Sequence, residues 1–72
     1  MKALSATHQK LGEVIKRLRR ENNMTQEDLA DKIAVDRSYM GFIERGERNI
    51  SLEKIIRISK AFNIKLKDLF DF

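Results

Sequence analysis

The 72-residue sequence contains no cysteine, no proline and no tryptophan, and its one histidine is His8. Without cysteine there is no disulfide framework, no thiolate nucleophile and no zinc–thiolate site. A lone histidine cannot build a multi-histidine metal cluster, so neither metal nor cofactor is expected. No apolar run approaches the roughly 18 residues of a membrane span, and residues 1–10 lack the apolar stretch of a signal peptide. A soluble, cytoplasmic chain with no membrane partner is the expectation. Serines with a single histidine and no nucleophile setting do not assemble a triad, so no catalytic residue, enzymatic activity or small-molecule substrate is expected. His8 itself reads as a solvated residue ahead of the first helix.

The length allows one domain, residues 1–72. A chain this short buries only about 60% of the surface it exposes when unfolded, so it must be helix-rich or oligomeric to stay folded. The formal net charge of +4 is unevenly spread. Lys and Arg outnumber Asp and Glu six to two over residues 1–24 and five to three over 51–72, but are outnumbered four to six over 25–50. An acidic middle argues against a protein that coats any polyanion by charge alone. If the chain binds nucleic acid, selected side chains must do it.

Apolar spacing and capping residues divide the chain into five segments. Leu11, Val14, Ile15 and Leu18 recur as the stripe of an amphipathic helix from about Thr7 to Asn22, with Asn23 suited to a left-handed end. Thr25 and Asp28 form a capping box for a second helix, stapled by Met24 and Leu29. Asp36 starts a third with Val35 and Met40 as its staple, and Ser51 a fourth with Ile50 and Ile55. Gly46 and Asn63 are suited to end the third and fourth helices. The tail, Ile64 to Phe72, reads as a further turn or two of helix or as an edge strand, with helix preferred. The expected fold is all-α, a compact bundle of five short helices.

Residues 26–45 carry the functional signal. The second helix lasts barely two turns, Ala34 and Val35 leave room only for a tight turn, and Ala30 is small enough for a steep crossing of the next helix. Leu29, Ile33, Val35, Met40 and Ile43 then face inward, leaving Arg37, Ser38, Gly41 and Phe42 on the outer side of the third helix. This arrangement resembles the helix-turn-helix of the phage-repressor and Cro family, in which the second helix of the pair lies in the DNA major groove. Taking Gln26 as the first motif position, Leu29, Ala30, Ile33, Val35, Met40 and Ile43 carry the family's residue types. Ala34 departs from the family's usual glycine at the turn. Asp36-Arg37-Ser38-Tyr39, followed by Glu44-Arg45-Gly46-Glu47-Arg48-Asn49-Ile50, is most similar to the small controller proteins of restriction–modification systems.

The resemblance implies a sequence-specific regulator of transcription that binds double-stranded DNA. Gln26, at the start of the second helix, is then expected on a phosphate. Arg37 can fork onto guanine N7 and O6, with Ser38 at a neighbouring base edge. Tyr39 can place its hydroxyl on a phosphate or base, or pack its ring under the second helix. Phe42 can meet a thymine methyl or stay partly buried. Arg45, Arg48 and Asn49 are candidates for clamping the sugar-phosphate backbone, as is Arg17 on the first helix. Arg19 and Glu44 match family positions that form a structural ion pair. Glu27 and Asp31 match positions through which activating members touch RNA polymerase.

Ile58, Phe62, Ile64, Leu66, Leu69, Phe70 and Phe72 exceed what one small core can bury, so residues 58–72 are expected to supply a homodimer interface. Two recognition helices about 34 Å apart would then read a palindromic operator. The other reading is a protein-interaction module, coactivator or antitoxin-like, that keeps the fold and uses other surfaces.

Overall fold

Short side chains that accept backbone hydrogen bonds decide where each helix starts. The computed structural model describes residues 3–72. Four α-helices follow one another: α1 (Ala6–Glu21), α2 (Gln26–Ile33), α3 (Arg37–Glu44) and α4 (Leu52–Phe62). Ser5, Thr25, Asp36 and Ser51 precede them, and each accepts the N–H three residues on, satisfying a donor the helix cannot. At Thr25 the bond is returned, because Asp28 Oδ2 accepts the Thr25 N–H at 2.8 Å. That backbone bond, and then the one from the Thr25 hydroxyl, holds the Asp28 carboxyl below its ordinary range.

The tail forms the fifth element. Asn63 takes a left-handed conformation, and Ile64 N–H bonds back to Ser59 O at 3.0 Å, ending α4. Leu66–Phe70 then winds as a 3-10 helix, with Lys65 N–H donating to Asp68 Oδ2 at 3.0 Å. There is no strand among the described residues.

Three consecutive residues, Ala34 to Asp36, separate α2 from α3. So short a link requires a residue at positive φ, and Ala34 takes it with φ 60°. A Cβ makes that conformation unfavourable by about 1–2 kcal/mol, which glycine avoids at some entropic cost. Ala34→Gly is therefore expected to stabilise the fold by about 1 kcal/mol and raise the melting temperature by about 4–8 °C, measured by thermal denaturation.

The core joins every element: Leu11, Val14 and Ile15 of α1, Leu29, Ala30 and Ile33 of α2, Met40 and Ile43 of α3, Ile58 and Phe62 of α4, and Leu69. α1 meets α3 at Gly12, where a Cβ would stand 2.5 Å from the carbonyl oxygens of Ile43 and Glu44. Only glycine allows that approach. α4 is tied to the end of α2 by Arg57, whose Nη1 donates to Ile33 O at 3.1 Å.

The core also corrects the expected dimer interface. Ile58 and Leu69 have no exposed surface and Phe62 has 7%, so all three are used inside one chain and are withdrawn from that interface. The reason is the 3-10 helix, which packs against both α1 and α4 and brings Leu69 over the end of the core. Leu66, Phe70 and Phe72 stay 40%, 43% and 51% exposed, with Ile64 half-buried beside them. The Phe70 and Phe72 rings lie 6.3 Å apart.

Candidate nucleic-acid interface

With Asp36 capping α3, the first two helical side chains, Arg37 and Ser38, are exposed. They border a shallow depression of about 280 Å³ whose other walls are Gln26, Gly41, Phe42 and Arg45. Five of the expected DNA-contacting residues thus share one surface feature. Gly41 lines the same outer depression and is buried beneath the Arg45 side chain, whose Nη1 would stand 3.2 Å from a Cβ there. Phe42 is half-buried, with the guanidinium carbons of Arg45 and Arg48 at 5.1 and 4.7 Å from its ring centroid. These contacts hold Arg45 in the wall of the depression and Arg48 against the same ring. Arg45 is further directed by its Nε–H, which donates to Glu47 Oε1 at 3.0 Å.

Behind this surface lies a polar junction. Glu44 and Arg19 are both buried, and Arg19 Nε donates to Glu44 Oε2 at 2.6 Å while Nη2 reaches Oε1 at 3.2 Å. Arg19 Nη1 donates to Met24 O at 2.8 Å, in the turn between α1 and α2. The half-buried Gln26 donates from Nε2 to Glu44 Oε1 at 3.0 Å. One carboxylate therefore sets the mutual placement of α1, α2 and α3. Gln26, expected on a phosphate, has one amide hydrogen engaged with Glu44 and a second left to donate outward.

The remaining residues are distributed more widely. Tyr39 packs against the core, its hydroxyl donates to Asn49 O at 3.0 Å and Lys54 Nζ lies 4.6 Å from its ring centroid, so it is not part of the depression. Arg17 is exposed on α1, facing Glu21 at 3.8 Å. Glu27 and Asp31 are exposed on α2. His8 is not ahead of the first helix but within α1, half-buried, with Nδ1 2.6 Å from Ser5 Oγ and Nε2 2.6 Å from Asn49 Oδ1. Composition gave no hint of this, because the partner lies 41 residues away. Gly12 was also missed, although a glycine inside an amphipathic stripe is the usual sign of close helix packing.

Among the described residues, no cluster of His, Cys, Asp and Glu is arranged to hold a metal ion, and no helix is long and apolar enough to cross a membrane. The Arg37 guanidinium makes no hydrogen bond or ion pair with any described residue, whereas those of Arg19, Arg45 and Arg57 are engaged.

The chain is 45% identical over 62 residues to the control protein C.BamHI of Bacillus amyloliquefaciens, an alignment covering 85% of this chain and 76% of that one. Its fold superimposes on the restriction–modification controller protein C.AhdI of Aeromonas hydrophila with a TM-score of 0.88 at 39% identity, covering 92% of this chain and all of the other. The controller C.Esp1396I, bound to a 25 base pair operator site, matches with a TM-score of 0.80 at 39% identity, covering 93% of this chain and 88% of that one. Residues 15–69 match the helix-turn-helix family, and the chain belongs to that family, among relatives that include restriction–modification control proteins.

Proposed function

We propose that this protein is a sequence-specific, double-stranded DNA-binding regulator of transcription, of the restriction–modification controller type, acting in the cytoplasm as a homodimer on a palindromic operator. The observation that carries this reading is the unengaged Arg37 guanidinium beside an exposed Ser38 on the outer face of α3. A planar fork with no partner among the described residues, one residue into a helix of the kind that enters the major groove, suits bidentate contact with guanine. Arg48, Asn49, Arg45, Arg17 and the second amide hydrogen of Gln26 are assigned to the sugar-phosphate backbone. Phe42 serves the reader mainly as a platform for its two arginines. Tyr39 acts through its grip on Asn49. Glu27 and Asp31 are the surface assigned to RNA polymerase.

The exposed Leu66, Phe70 and Phe72, with the half-buried Ile64, are assigned to contact with a second copy. Covering it would remove apolar area from water and place two copies of α3 across a two-fold axis. No enzymatic step is assigned.

The test is selection of bound duplexes from a random pool, with the winner's affinity followed against salt. A two-fold symmetric site is expected, with a log–log salt slope of several units. Phe70→Asp is expected to sediment as a monomer and to lose most of its affinity for that site. Equal affinity for every duplex would reject the regulator reading in favour of a protein-interaction module.

A further inference from the structure

The loop that follows α3 is braced by the start of α1. Leu4 N–H donates to Gly46 O at 2.8 Å. Gly46, at φ 73°, lies so close to α1 that a Cβ would stand 2.7 Å from Gln9 N and Cα and 2.9 Å from the His8 carbonyl carbon. Three residues further on, Asn49 is held twice: its main-chain oxygen accepts the Tyr39 hydroxyl at 3.0 Å, and its side-chain Oδ1 lies 2.6 Å from His8 Nε2. Because Oδ1 can only accept, His8 Nε2 carries a proton, and in the neutral ring Nδ1 then accepts from the Ser5 hydroxyl 2.6 Å away. Ser5 also accepts the His8 N–H at 3.1 Å, so the ring is held from its own backbone outward.

Both oxygens of Asn49 are therefore occupied. Its Nδ2 amide keeps two hydrogens that no described residue takes. An asparagine whose two oxygens are each already bonded offers its free amide hydrogens, which match a phosphate oxygen. We propose that His8 is a positioning residue for DNA binding, holding Asn49 Oδ1 so that the Nδ2 amide donates to a backbone phosphate of the operator. This inference rests on the regulator reading and adds to it a residue of α1, outside the helix-turn-helix.

His8 touches no DNA in this arrangement, so its effect must pass through Asn49. The experiment is a double-mutant cycle on the selected duplex, with His8→Phe, which keeps the ring and removes both nitrogens, Asn49→Ala and the pair. Each single change is expected to weaken binding about threefold to tenfold, the loss of one hydrogen bond. The pair is expected to bind no worse than Asn49→Ala alone, because the two changes remove one contact. The salt slope should stay unchanged, because the lost donor is neutral, whereas losing a cation's phosphate contact lowers the slope by about 0.9. His8→Gln, which restores a donor, is expected to recover most of the affinity, and a melting temperature recorded for each variant separates binding from folding.

Wild-type affinity in His8→Phe would overturn the assignment. So would losses that multiply in the pair, or a reduced salt slope, which would place His8 behind the whole loop and not behind Asn49. If the wild-type chain selects no duplex, the regulator reading and this inference fail together.

Discussion

Glu44→Ala is expected to destabilise the fold by about 3–5 kcal/mol, the usual result of removing one partner from a buried ion pair. A domain of this length commonly has roughly 4–11 kcal/mol of stability in all, so the loss is comparable to the whole. The size follows from what Glu44 holds. Its side chain is 2% exposed and accepts from Arg19 twice and from Gln26 once. With the carboxylate gone, the Arg19 guanidinium, 10% exposed, keeps the Met24 carbonyl and no opposite charge. Urea denaturation measures the effect. Arg19→Met combined with Glu44→Leu is expected to recover most of the loss, because replacing both charges with apolar groups removes the desolvation cost along with the attraction. If Glu44→Ala unfolds at the wild-type midpoint, the junction is not what fixes the three helices.

Arg37→Ala is expected to have the largest effect on base discrimination. The loss is about 1–3 kcal/mol of discrimination, with relaxed preference at one base pair of each half-site and an unchanged preference elsewhere. Stability should move the other way or not at all. Arg37 is the first residue of α3, where the positive end of the helix dipole disfavours a cation, and its side chain has no partner among the described residues to offset that. Its removal is expected to leave the unfolding free energy unchanged or raise it by about a few tenths of a kcal/mol. Selection repeated with the variant reads the specificity, and a fluorescence titration on the wild-type winner reads the affinity. A uniform loss over all duplexes would make Arg37 a phosphate contact instead of a base reader.

Most of the helix architecture was legible in the sequence because its signals are local. Thr25, Asp36 and Ser51 announce their helices through bonds to the residue three positions on, and nothing distant can rearrange such a contact. Asn23 and Asn63 adopt the left-handed conformation their side chains tolerate. The outer face of α3 was legible too, since helical periodicity alone separates Arg37 and Ser38 from Met40 and Ile43. The tail was less so. Alternating apolar residues from Ile64 to Phe72 do not say which belong to the core, because that depends on where α1 and α4 leave space, and only Leu69 and part of Ile64 find it.

The sequence by itself determined an all-helical chain without a disulfide or zinc–thiolate framework, its helix starts, and an α3 whose exposed first turn carries an arginine and a serine. Capping and amphipathic spacing act over a few residues and are insensitive to what lies elsewhere. Only the tertiary structure decided what Gln26 and His8 are used for. Gln26 meets Glu44 across 18 residues and His8 meets Asn49 across 41, whereas the Arg19–Glu44 pair, across 25, was expected through the family resemblance and not from any pattern along the chain. Such bonds form when burial of the shared core brings separate helices together, and a composition or period computed along the chain has no means of registering them.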